Sequence, residues 1–86
     1  MKLLKENEKG KTFQTRKCKI LYRKKGTVSG DNEINPKEII YFITGEAEIT
    51  LNDKTWTIKS PARVDFPAKT HHKIKALTDI SFIIFD

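Results

Sequence analysis

The chain has 86 residues and a mass of 10.0 kDa, which leaves room for one compact domain with a modest core. Hydrophobic residues make up 37% and charged residues 33%, a globular mix in which no apolar run approaches the ~20 residues that span a bilayer. Cys18 is the only cysteine, which excludes an internal disulfide and a thiolate metal cluster.

The opening Met1-Lys2-Leu3-Leu4-Lys5-Glu6 carries no apolar signal core, so a cytoplasmic protein is expected. The net charge of +6 is uneven. Residues 1–25 hold ten Lys or Arg against two Glu, and residues 26–86 hold seven against nine Asp or Glu. A basic arm can mark nucleic-acid contact, but no glycine-and-aromatic signature accompanies these lysines. A sheet edge guarded by lysine explains them as well, and nucleic acid is not an expected partner.

In chain order, residues 1–11 are polar and end in Gly10, which reads as an edge strand or a flexible arm. Thr12 to Arg23 alternates, with Cys18, Ile20 and Tyr22 on one face and Lys17, Lys19 and Arg23 on the other. Period two predicts one strand here, with the first set inward. Gly26 and Gly30 bracket a predicted loop that runs through Asp31, Asn32, Glu33, Asn35 and Pro36. Glu38 to Ile43 is apolar on both faces after its first residue and reads as a central strand. Glu46 to Leu51 alternates, Asn52-Asp53 predicts a tight turn, and Thr55 to Ile58 resumes with Trp56 and Ile58 inward. After Ser60-Pro61 come Arg63 to Phe66, a loop from Pro67, then His72, Ile74 and Ala76 on one face, and a last apolar strand from Ile80 to Phe85. No segment carries helical spacing over ten residues with a cap at its start. Six or seven short strands in sequence predict an all-β sandwich or barrel, with Ile40, Phe42, Ile49, Leu51, Trp56, Ile58, Val64, Phe66, Ile74, Phe82 and Ile84 supplying most of the core.

Two segments resemble the cupin family. Glu38 to Gly45 fits the tail of the first cupin motif, a Glu and, after six intervening residues, a Gly. Pro67-Ala68-Lys69-Thr70-His71-His72 is similar to the second, Pro-x-Gly-x-x-His. The likeness spans residues 26–86 and implies an all-β, antiparallel jelly-roll β-barrel, with residues 1–86 as a single cupin-like domain.

The resemblance also implies a site. Many cupins hold a divalent metal through a His-x-His pair, the motif Glu and the last His, a set that leaves positions open for substrate. Glu38 and His72 match the last two. The His pair is absent, and its places fall on Asp31 and Glu33, or on Asn32 and Ile34. If a metal is held, Glu38, His72, Glu33 and Asp31 form a carboxylate-rich set suited to Mn or Zn; with half the family set missing, no cofactor is the leading expectation. Lys69 stands where the motif has Gly, so the loop is expected to be reshaped and Lys69 to lean over the barrel mouth. Tyr41 is expected there too, and Glu38, His72, Lys69 and Tyr41 form the expected ligand-binding set. His71 reads as solvent-facing and Cys18 as a small buried hydrophobe rather than a nucleophile.

The function expected from these residues is a non-catalytic small-ligand-binding or interaction module with a degenerate metal site. It is expected to pair with itself as a homodimer in which the N-terminal strand is covered. The alternative is a divalent-metal-dependent cupin enzyme of the sugar isomerase, epimerase or dioxygenase type.

Overall fold

The computed structural model describes residues 1–32 and 36–85, the side chains of Asp31 and Asn32 excepted. Ten strands follow in order: β1 (Lys2–Asn7), β2 (Gly10–Gln14), β3 (Cys18–Arg23), β4 (Val28–Asn32), β5 (Glu38–Thr44), β6 (Glu46–Leu51), β7 (Lys54–Lys59), β8 (Ala62–Phe66), β9 (His72–Ala76) and β10 (Ile80–Phe85). They form a six-stranded sheet, β1-β2-β3-β10-β5-β8, and a four-stranded sheet, β4-β9-β6-β7. Every pairing is antiparallel. The chain crosses repeatedly between the sheets, which is the jelly-roll arrangement. No helix among the described residues is long and apolar enough to cross a membrane.

The core lies between the sheets. Ile40, Phe42, Val64, Phe66 and Phe82 of the larger sheet meet Ala47, Ile49, Ile74 and Ala76 of the smaller, all buried. Phe42 and Phe82 face each other across β5 and β10 at 5.3 Å between ring centres. Leu51, Ile58 and Ile84 pack against this cluster from partly exposed positions. Trp56 departs from expectation. It shares the inward face with Ile49 across β6–β7, but β7 is an edge strand and leaves the indole 37% exposed.

Three further sequence expectations are corrected. The single strand over Thr12 to Arg23 is two strands, joined at Thr15. The Thr15 hydroxyl accepts from the amides of Lys17 and Cys18, while the Thr15 amide donates to the Cys18 carbonyl. A threonine does here what glycine or proline usually signals. Second, the loop expected after Gly26 contains β4, which pairs with β9.

Third, the facing of β3 is reversed. Leu21 is buried opposite Phe82 and carries Lys19 and Arg23 to the inward side, while Tyr22 is 50% exposed. Cys18 and Ile20 share the outward face with Tyr22. Lys19 and Arg23 mark the face of Leu21 as the wet one, so alternation alone selects the wrong side. The first segment forms β1, an edge strand paired to β2, the first of the two arrangements expected for it.

Candidate functional site

Glu38 opens β5, and strand parity places it on the same inward face as Ile40 and Phe42. His72 opens β9 and is only 2% exposed. Its imidazole lies on the Phe66 ring, 4.2 Å between centres and 23° from parallel, and Phe66 is the residue opposite Glu38 in the β5–β8 register. Stacking on Phe66 therefore aims the ring at the carboxylate. His72 Nε2 sits 3.0 Å from Glu38 Oε1. A carboxylate accepts, so Nε2 carries the hydrogen of this contact. Nδ1 is buried without a hydrogen-bond partner among the described residues. In the neutral imidazole with its hydrogen on Nε2, the unpaired atom is an acceptor, which costs less than a buried unpaired N–H.

Gly30 of β4 completes the setting. A methyl group there would stand 3.4 Å from His72 Cδ2, in ordinary contact, but at φ +77° the position favours glycine. The bare backbone lies against the edge of the imidazole. Beside it opens an interior cavity of about 250 Å³. Its apolar walls are Leu21, Ile40, Ile74, Phe82 and Ile84, and its polar groups are Arg23, Glu38, His72 and Ser29. A hollow of about 730 Å³ at Thr15, Arg16 and Lys17 is larger but is a wide-open surface depression beside a turn. Polar groups converging among apolar walls favour the interior cavity as the ligand site.

The sequence-derived set divides. Glu38 and His72 come together. Tyr41 does not join them: it is one residue out of parity and faces outward, edge-on to Phe85 at 5.5 Å and hydrogen-bonded at 3.2 Å from Arg63 Nη1. Lys69 is exposed and lies away from the cavity walls. It has taken the left-handed geometry of the glycine it replaces, φ 60°, in a turn closed by the Thr70 hydroxyl donating to the Pro67 carbonyl at 2.7 Å. The expected reshaping of the loop is therefore corrected. Lysine carries the strain instead.

Arg23 escaped the sequence reading. Charged residues alternating with Cys18, Ile20 and Tyr22 read as a wet face. Only the burial of Leu21 against Phe82 of β10 turns that face inward. The guanidinium is half-buried, and desolvation lowers its pKa from the usual value.

The metal expectation meets a short donor set. Among the described residues no three His, Cys, Asp or Glu side chains come together. Glu33 lies outside the described residues, as does the side chain of Asp31, whose backbone stands opposite His72 in the β4–β9 register. Glu38 and His72 alone supply two donors, fewer than the three or four protein ligands of a catalytic or structural centre.

Solved structures share this architecture. A cupin superfamily protein from Desulfitobacterium hafniense superposes with a TM-score of 0.71 over 84% of this chain and 68% of its own, at 19% identity. The fold is a cupin fold. A conserved Streptococcus pyogenes protein of unknown function matches this cupin-like chain at TM-score 0.76 and 18% identity, covering 92% of it and 75% of the other protein. The capsular polysaccharide assembling protein CapF of Staphylococcus aureus reaches TM-score 0.79 and 20% identity over 96% of this chain. This chain spans only 29% of CapF. Identities this low carry the fold and no activity. No family model and no curated protein matches the sequence.

Proposed function

We propose that this cupin-like barrel is a non-catalytic module that binds a small organic molecule in its interior cavity. One observation carries the reading: Glu38 and His72 are bonded to each other at 3.0 Å in a cavity with apolar walls, and among the described residues no third His, Cys, Asp or Glu joins them. A paired carboxylate and imidazole can orient a ligand by hydrogen bonds without reacting with it. A lone cysteine fits a cytoplasmic setting.

The test is metal binding. Protein purified without added metal and titrated with Mn²⁺ and Zn²⁺ is expected to show no stoichiometric, tightly held ion. A tight one-to-one ion lost in both Glu38→Ala and His72→Ala would overturn this and favour the metal-dependent enzyme, with Asp31 or Glu33 in the ligand set.

The homodimer is proposed on a different surface from the one the sequence suggested. Register aligns Leu3, Phe13, Ile20, Ile83, Tyr41 and Arg63 in one row across all six strands of the larger sheet, on its outward face. Tyr22, Ile43 and Phe85 on the same face are 50%, 49% and 45% exposed. Arg63 closes one end of the row, its charge balanced by Asp65, whose carboxyl it holds below the usual range through a direct hydrogen bond. A face with so little net charge lets two copies of a basic chain approach. Principal extents of 34 and 25 Å leave room for the ~800 Å² per partner that a stable interface uses. Ile83→Glu is expected to convert a dimer to a monomer at micromolar concentration, read by sedimentation velocity. A wild-type monomer, or an Ile83→Glu dimer, would sink the proposal.

A further inference from the structure

Arg23 lines the cavity, and among the described residues no carboxylate forms an ion pair with it. Three of its five donor hydrogens are engaged: Nη1 donates to the carbonyls of Lys11 at 3.1 Å and Tyr22 at 3.0 Å, and Nη2 donates to the Thr12 hydroxyl at 3.0 Å. Those partners are all neutral and all lie on β2 and β3, so they fix the plane of the guanidinium without neutralising it. The ion pairs nearest the cavity go elsewhere, Glu38 to His72 and Asp65 to Arg63. Among the described residues, Nε–H and one hydrogen of Nη2 have no acceptor. A half-buried cation with spare donors, held rigid beside an apolar hollow, is prepared for an anion.

The cavity decides which anion. At about 250 Å³ it is below the size of a drug-sized pocket and accommodates one ring or a short branched chain. Its aliphatic and aromatic walls need an apolar body. One guanidinium balances one negative charge, and Glu38 on the same cavity disfavours a second, which argues against phosphate esters. His72 engages one Glu38 oxygen, and among the described residues nothing engages the other, an acceptor for a hydroxyl on the ligand. We infer that the site takes a small hydroxy-monocarboxylate with an apolar body, its carboxylate on Arg23 at the rim and its hydroxyl toward Glu38. This rests on the cavity being a ligand site, as proposed above.

The test compares three probes of one skeleton, 4-hydroxybenzoate, 4-hydroxybenzamide and 4-hydroxybenzylamine, titrated into the full chain by NMR with the Leu21, Ile40 and Ile84 methyls as reporters. The carboxylate is expected to bind about tenfold tighter than the amide, as one charge-assisted contact gives, and the amine weakest. Arg23→Gln should abolish the preference and Arg23→Lys should retain part of it, with thermal unfolding confirming that each variant folds. The comparison of probes in the unaltered protein decides the matter should Arg23→Gln fail to fold. If amide and carboxylate bind equally at these methyls, the carboxylate class is wrong and the cavity reading stands. If no probe moves these methyls at millimolar concentration, both fall.

Discussion

Gly45→Ala is expected to destabilise the protein by more than about 3 kcal/mol, a large share of the ~4–13 kcal/mol typical of a chain this size. Gly45 is the only residue between β5 of the larger sheet and β6 of the smaller, so the chain changes sheets there in a single step. Its φ is +87°, and a Cβ would run into the Asp79 carbonyl, the Thr78 hydroxyl and Ile80. The carbonyl is backbone and cannot turn aside. Gly26 offers a control within the same molecule: its φ is also +87°, but a Cβ there meets nothing within 4 Å. Gly26→Ala should therefore lose only the conformational term of about 1 kcal/mol. Chemical denaturation of the two variants separates strain from collision. Equal losses would mean that the close approach at Gly45 does not limit the fold.

That glycine is also where the sequence was most readable. The run from Glu38 to Gly45, the turn at Asn52-Asp53 and the alternation of β6 and β9 are local signals, and each falls where it was expected. What escaped was decided by partners distant in the chain. The turn at Thr15 is made by a hydroxyl satisfying neighbouring amides, a chemistry any threonine can offer. The strand β4 exists because β9 gives it a ladder to join, despite a glycine and polar residues that read as loop. The facing of β3 depends on β10, whose two apolar faces serve the core on one side and the outer row of Ile20, Ile83 and Tyr41 on the other. Trp56 was placed on the correct face, but alternation says nothing about where a sheet ends.

The site was legible to the extent that parity and motif coincide. Glu38 and His72 satisfied both. Tyr41 satisfied neither parity nor contact, and its partner Arg63 draws it to the outer face. Arg23 had no local mark at all. Its place in the cavity follows from one buried leucine two residues away, so the residue with the most to say about ligand chemistry was the least visible in the sequence.

Whether the Glu38–His72 pair holds the barrel together can be decided by a double-mutant cycle. Glu38→Ala should cost about 1–3 kcal/mol, because it leaves the Nε2–H of a 2%-exposed imidazole without an acceptor. His72→Ala should cost more, since it also removes the ring stacked on Phe66 and leaves a void against it. Replacing both by apolar groups of similar shape, Glu38→Leu with His72→Phe, should return the protein to within about 1 kcal/mol of wild type. Phenylalanine can keep the stack on Phe66, and no buried polar atom is left unpaired. Thermal and denaturant unfolding of wild type, Glu38→Leu, His72→Phe and their combination give the four corners of the cycle, with the alanine variants measuring each truncation separately. If stability returns while recognition of the hydroxyl probe is lost, the two residues serve the ligand and not the fold. A double variant as unstable as either single one would make the pair structural. The outer face of the larger sheet, with its row of exposed apolar side chains, would then be the place to look for function.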